Sequence, residues 1–119
     1  MVSEKLQRAR AFEEENLPAV LPEKLPAFHV TGGVGWINDP NGFSEYRGEV
    51  HLFFQYHPYS RSWGPMYWGH VKPRDFIRWE RLPAALAPDE EYDGGGCFSG
   101  SAIELPDGRH LLLYTGGDG

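Results

Sequence analysis

GFSEYRGEVHLFFQYH, residues 42–57, is the stretch that decides the fold class. Two runs, 42–47 and 49–57, flank Arg47-Gly48, and in the second run Val50, Leu52, Phe54 and Tyr56 alternate with His51, Phe53, Gln55 and His57. Successive side chains of a strand leave opposite faces, so a period of two reads as an antiparallel hairpin. Further strand-like runs follow at 66–72 (MYWGHVK) and 77–82 (IRWERL), and Pro83 to Gly96 reads as a loop rich in Pro, Asp, Glu and Gly. Then residues 97–105 (CFSGSAIEL) and 109–115 (RHLLLYT) are joined through Pro106-Asp107-Gly108, a hairpin turn in which Pro presets φ and Gly tolerates a positive one. Four strands, a loop and two more strands is the rhythm of a β-propeller, about one and a half blades of it. A sandwich or small barrel would space its strands similarly, and the pattern alone leaves those open.

Before the strands, Leu6, Ala9 and Phe12 recur every three residues among charged positions and Pro18 halts the pattern, which predicts a short surface helix over 3–16 that serves as a packing appendage. Leu17 to Pro26 carries three prolines and reads as an extended linker. The organisation is therefore a helix and Pro-rich linker over 1–27 and an all-β domain over 28–119. The last strand, Leu111 to Tyr114, is apolar on both faces and is expected at a sheet edge. That predicts a truncated chain or one that pairs with something else; the alternative is a core strand covered by the N-terminal segment.

Composition narrows the function. The 119 residues are 40% hydrophobic and 14% aromatic, and 15 Gly with 10 Pro fit short strands joined by tight turns. Eleven basic against 17 acidic residues give a net charge of −6, with the basic ones scattered, so no nucleic-acid partner is expected. Cys97 has no second cysteine to pair with, and the first twenty residues hold no apolar run long enough for a signal peptide or a membrane span. A cytoplasmic protein with no membrane contact is the expectation. The five histidines show no metal spacing, and neither a metal nor a cofactor is expected. The acidic run Asp89 to Asp93 reads as a solvated loop and Cys97 as a small buried residue.

Trp36-Ile37-Asn38-Asp39-Pro40-Asn41-Gly42 lies just before the predicted hairpin. Asn, Asp, Pro and Gly are turn residues, and a turn is the plain reading. Yet Asp39 follows Trp36 and Ile37, and downstream come Gln55, Trp63 and Trp68, side chains suited to hydrogen bonding and stacking on a sugar ring. Phe28-His29 followed by Gly35 to Gly42 resembles the first sequence block of glycoside hydrolase family 32, with Ile37 where Met is usual. His51 to Pro58, Trp63-Gly64-Pro65, Trp68-Gly69-His70 and Phe98-Ser99-Gly100-Ser101 resemble later blocks of that family in the same order, so the resemblance covers roughly residues 28–116.

The resemblance implies a five-bladed β-propeller with its active site in a funnel at the axis, and hydrolysis of terminal β-D-fructofuranoside bonds, as in sucrose or sucrose-6-phosphate. It implies Asp39 as catalytic nucleophile. Asn38, Gln55 and Ser99 would hydrogen-bond sugar hydroxyls, Trp63 would form an apolar wall, and Phe98 would lie beside Ser99. A retaining glycosidase needs a second, protonated carboxyl about 5 Å away. The family's Glu-Cys block with that acid/base is absent here, since Glu104 precedes Leu105, and so is its Arg-Asp-Pro block, from which Arg74-Asp75-Phe76 departs. The chain alone is expected to be inactive. A non-catalytic sugar-binding remnant, and a fructan hydrolase or fructosyltransferase of the same family, are the alternatives.

Overall fold

The computed structural model describes residues 1–118. Helix α1 (Glu4–Asn16) starts where Ser3 Oγ accepts the Leu6 amide at 3.1 Å, satisfying one of the free donors of its first turn. Strands β1 (Trp36–Tyr46), β2 (Glu49–His57), β3 (Tyr67–Pro73) and β4 (Trp79–Leu86) form an antiparallel four-stranded sheet in the order β1-β2-β3-β4. Strands β5 (Gly96–Glu104) and β6 (His110–Gly117) pair as a second, two-stranded sheet. The β1–β2 turn places Arg47 at φ 52° and Gly48 at φ 75°, the two positive angles that match a two-residue turn to the twist of its strands.

β2 is buried on both faces, which is why its alternation mixes apolar residues into both parities. Phe54 and Tyr56 pack with Tyr67, Val71 and Ala84 against Leu6 and Ala9 of α1. Phe53 on the other face packs with Trp68 against Cys97, Ala102, Leu112 and Tyr114 of the second sheet. The first sheet is thus the middle layer, between a helix and a half-built sheet.

Four sequence expectations change. β1 begins at Trp36, so the Asn-Asp-Pro-Asn-Gly segment lies within a strand and not in a turn ahead of it. Its pairing with β2 is irregular twice, between Ile37 and Pro40 and between Asn41 and Ser44. Bulges let turn-forming residues sit in a strand, and Gly42, at φ 53°, takes a backbone angle closed to most side chains. β4 runs through Pro83 to Leu86 where a loop was expected; as an edge strand it tolerates a residue without an amide hydrogen. The Pro-rich linker folds into two 3₁₀ turns, Leu17–Ala19 and Pro22–Lys24. Asp93, read as solvated, is fully buried: it accepts Tyr114 Oη at 2.6 Å and the Glu90 amide at 2.8 Å.

The helix is more than an appendage, because it closes the open edge of β4. Arg10 Nε donates to Ala84 O at 2.8 Å, Glu13 Oε2 accepts the Ala84 amide at 3.0 Å, and Lys5 Nζ donates to Pro88 O. At Ala84, side chains take the two bonds a fifth strand would have made. Among the described residues β6 has no such cover. Leu112 and Tyr114 face the core, while Leu111 and Leu113 face outward at the sheet edge, and the N-terminal segment packs on β4 instead.

Candidate functional site

The first bulge decides where Asp39 goes. Asn38 and Asp39 have no register partner on β2, so the strand bends there and both side chains stand exposed on the surface. The Ser99 hydroxyl of β5 approaches Asp39 Oδ2 at 3.5 Å, the outer limit of a hydrogen bond. Asp39 and Ser99 thus meet across the seam between the two sheets.

That meeting depends on three bonds that fix the start of β5. The Cys97 amide donates to Met66 O at 2.8 Å, Gln55 Nε2 donates to Cys97 O at 3.1 Å, and Trp68 Nε1 donates to Phe98 O at 3.1 Å. Gln55 Nε2 also donates to Asn41 Oδ1 at 2.7 Å, and Asn41 Nδ2 donates to Pro40 O at 2.8 Å. One buried amide therefore ties the residues just after Asp39 to those just before Ser99. A Cβ on Gly42 would lie 2.7 Å from the Phe53 ring and 3.2 Å from that of Trp68, so glycine is what lets β1 pass this close.

The proposed sugar-contacting residues divide. Asn38 shares the exposed bulge with Asp39, and Ser99 faces them. Gln55 is 3% exposed, and its amide nitrogen is committed to Asn41 and Cys97. Trp63 stands 60% exposed on the β2–β3 connection, near where His57 Nδ1 donates to Pro65 O at 3.1 Å. The Phe98 ring lies on Gly96 and Gly117, where an added Cβ would be 2.9 and 2.5 Å from it, so it packs β5 onto β6 while its carbonyl takes the Trp68 bond. Trp68 is fully buried and cannot stack on a ligand, against the expectation drawn from its aromatic character. Asn41 was missed, because Asp-Pro-Asn-Gly reads as a turn; the signal that it is buried and bonded is the bulge, which a two-residue period does not register.

Burial, helped by the Asp93 carboxylate, pushes the Cys97 thiol well above its usual range, which suits a packing residue and not a nucleophile. Among the described residues no group of three or more His, Cys, Asp and Glu is placed to hold a metal. A crevice of about 370 Å³ beside α1 is lined by Arg10, Glu13, Phe54 and Leu82, and Asp39 stands outside it.

Residues 29–119 match the model of the glycosyl hydrolases family 32 N-terminal domain. The sucrose-6-phosphate hydrolase of Zymomonas mobilis subsp. mobilis is 54% identical over 94 residues, which cover 79% of this chain and 18% of that protein. The sucrose-6-phosphate hydrolase of Escherichia coli is 43% identical over 116 residues, 93% of this chain and 24% of that one. Among solved structures, a mutant of the Bombyx mori GH32 beta-fructofuranosidase BmSUC1 in complex with sucrose superposes with a TM-score of 0.83 at 41% identity, covering 98% of this chain and 24% of that one. The chain thus spans a quarter or less of the length of these relatives. A four-stranded meander, a second sheet begun beside it and this degree of likeness lead to one conclusion: the chain belongs to glycoside hydrolase family 32, and its two sheets are the N-terminal part of that family's propeller.

Proposed function

We propose that this chain supplies the nucleophile side of a site that hydrolyses terminal β-D-fructofuranoside bonds, with Asp39 attacking the anomeric carbon of the fructosyl unit. The carrying observation is the exposed Asp39 carboxylate on a bulge, faced by the Ser99 hydroxyl across the seam. A carboxylate oxygen of Asp39 bonds to C2 as the C2–O glycosidic bond breaks, and the leaving oxygen takes a proton from a second carboxyl. Water then attacks C2, returns its proton to that carboxyl and frees Asp39. Asn38 and Ser99 hydrogen-bond fructosyl hydroxyls, the oxygen of Gln55 serves as acceptor, and Trp63 walls the sugar. Phe98 acts by packing β5. The sucrose-6-phosphate hydrolases among the relatives support sucrose or its 6-phosphate as substrate.

The proton donor is the part this chain lacks, and its absence removes assistance usually worth about 10²–10⁴-fold in rate. Activity therefore belongs to a protein that also carries the Glu-Cys block. We place it in the cytoplasm, in line with its single free cysteine, which suits a reducing compartment. No described helix is long and apolar enough to cross a membrane.

Asp39→Asn in a gene that supplies the remaining blades tests the assignment. Sucrose hydrolysis should fall by about 10⁴-fold or more, as for other nucleophile removals, with the thermal transition in place. Mass spectrometry of a trapped fructosyl-enzyme should find the adduct on the peptide holding Asp39. Activity within a few-fold of the parent, or an adduct elsewhere, removes Asp39 from the mechanism. Calorimetric titration of the 119-residue chain with sucrose addresses the binding-remnant reading, which requires saturable heat without turnover.

A further inference from the structure

Three histidines far apart in sequence meet where the two sheets cross. His51 of β2 and His70 of β3 approach through Nδ1 and Nε2 at 2.8 Å, and the ring of His110, at the start of β6, lies 5.5 Å from that of His51. The rings are clamped by aromatic neighbours: Phe53 stacks on His70 at 4.2 Å and Tyr46 on His110 at 4.5 Å. Ser44 has one hydroxyl hydrogen, which goes to Gly42 O at 2.9 Å, so Ser44 Oγ accepts from His110 Nε2 at 2.8 Å. That bond joins β6 to β1. A second tie runs close by, from the Arg47 amide to Glu104 Oε2 at 3.0 Å.

The geometry admits few protons. Two ring nitrogens 2.8 Å apart share a single hydrogen, and a second would set two N–H groups head to head. We propose that the His51–His70–His110 cluster is a proton-operated lock between the sheets: with the rings neutral, His110 of the second sheet packs on His51 of the first, and charge on the packed rings drives the sheets apart, whereas the Ser44 bond, in which His110 is the donor, is the same in either state.

The charged surroundings agree. His70 faces His51, His110, Arg10 and Lys72, with no carboxylate among the charges acting on it, and burial with these neighbours holds it down to about 3. Burial also lowers His51, where Lys72 adds to it and Glu49 opposes it, and His110, where His51 adds to it and Glu104 opposes it. A histidine whose folded pKa is depressed gives stability that is present above about pH 6.5 and is lost as the pH falls toward the folded value. Each histidine that stays neutral shifts the equilibrium about tenfold per pH unit, or about thirtyfold at pH 5. Between pH 6.5 and 5 most carboxylates are still ionised, so the loss in that window belongs to the imidazoles.

The test uses the 119-residue chain. Imidazole ¹⁵N shifts from pH 7.5 to 4.5 should show His70 still neutral where a free histidine has become charged. Amide protection factors for Ile103 and Leu111, which face each other as a hydrogen-bonded pair of the second sheet, should fall about tenfold or more per pH unit below pH 6, ahead of those for Phe54 and Val71. His70→Gln should flatten that slope by about one tenfold step per unit; His110→Gln gives the same reading should the first variant not fold. Titration of His70 near pH 6.5 in the folded chain, simultaneous loss of protection in both sheets, or an unchanged slope in the variants would each overturn the lock.

Discussion

The two sheets are built from similar strands yet are held together by different means. The four-stranded sheet has its own core, Phe54, Tyr56, Tyr67 and Val71, and a helix whose Arg10 and Glu13 occupy both backbone groups of Ala84 in its outer strand. Among the described residues the two-stranded sheet has no second layer of its own. It is held by Trp68, Gln55 and Met66 O at one end and by Ser44 with the histidine cluster at the other. Because Asp39 stands on the first sheet and Ser99 on the second, the geometry of the site is only as firm as those anchors.

Trp68→Ala should break both halves and gives the largest effect. Its side chain is fully buried, lies 5.5 Å from the ring of Phe53 and 6.3 Å from that of Tyr114, and carries the bond to Phe98 O. Urea titration should show a loss of about 3–5 kcal/mol, the range for truncating a core aromatic. A loss under about 1 kcal/mol would mean that the sheets do not share this core.

Gln55→Leu sharpens the contrast, because it keeps the bulk and deletes only the tie. Cys97 O and Asn41 Oδ1 each lose a buried donor, for about 1–3 kcal/mol. Hydrogen exchange should place the loss in β5 and β6, with β2 and β3 nearly unchanged; a uniform loss would show that Gln55 supports the first sheet as much as the second.

At the other seam, Glu13→Ala leaves the buried Ala84 amide without its acceptor, again about 1–3 kcal/mol at most, softened by water at the helix edge. Glu13→Gln keeps an acceptor and should cost much less. Burial raises the Glu13 pKa while the Ala84 amide opposes it, so the folded state prefers the neutral acid. This contribution is therefore largest at low pH and declines as the pH rises above the usual carboxylate range. The histidine seam runs the other way, losing stability as the pH falls below about 6.5. Thermal melts of Glu13→Gln and the parent should therefore diverge on the alkaline side of pH 4.5.

What the sequence disclosed and what it hid follow the same division. Period-two alternation and the turns at Arg47-Gly48 and Pro106-Asp107-Gly108 announced the hairpins, since both are local. Asp39 and Ser99 were legible only through resemblance to a family, because their proximity is made by a bulge and by anchors that no spacing encodes. Pro83 concealed the second half of β4, as an edge position excuses proline from the ladder. The buried Asp93 and the three clustered histidines were hidden for one reason. Periodicity says which side chains share a face, and it does not say which faces meet.

The smallest expected effect lies on the outer edge of β6. Leu113 is 53% exposed and points away from the core that Leu112 and Tyr114 enter. Leu113→Lys should therefore change unfolding stability by no more than about 0.5 kcal/mol, as for surface positions free of special contacts. Its effect should appear in association instead. β6 is an apolar strand with one unpaired side, the form that pairs with other chains, and an edge lysine must be desolvated to allow that pairing. Sedimentation of the 119-residue chain over a concentration series should show less self-association in the variant. A lysine beside Ala84 on the edge of β4, where Arg10 and Glu13 already hold both backbone groups of that residue, should make much less difference; equal effects at both edges would mean that the helix does not close its edge at all.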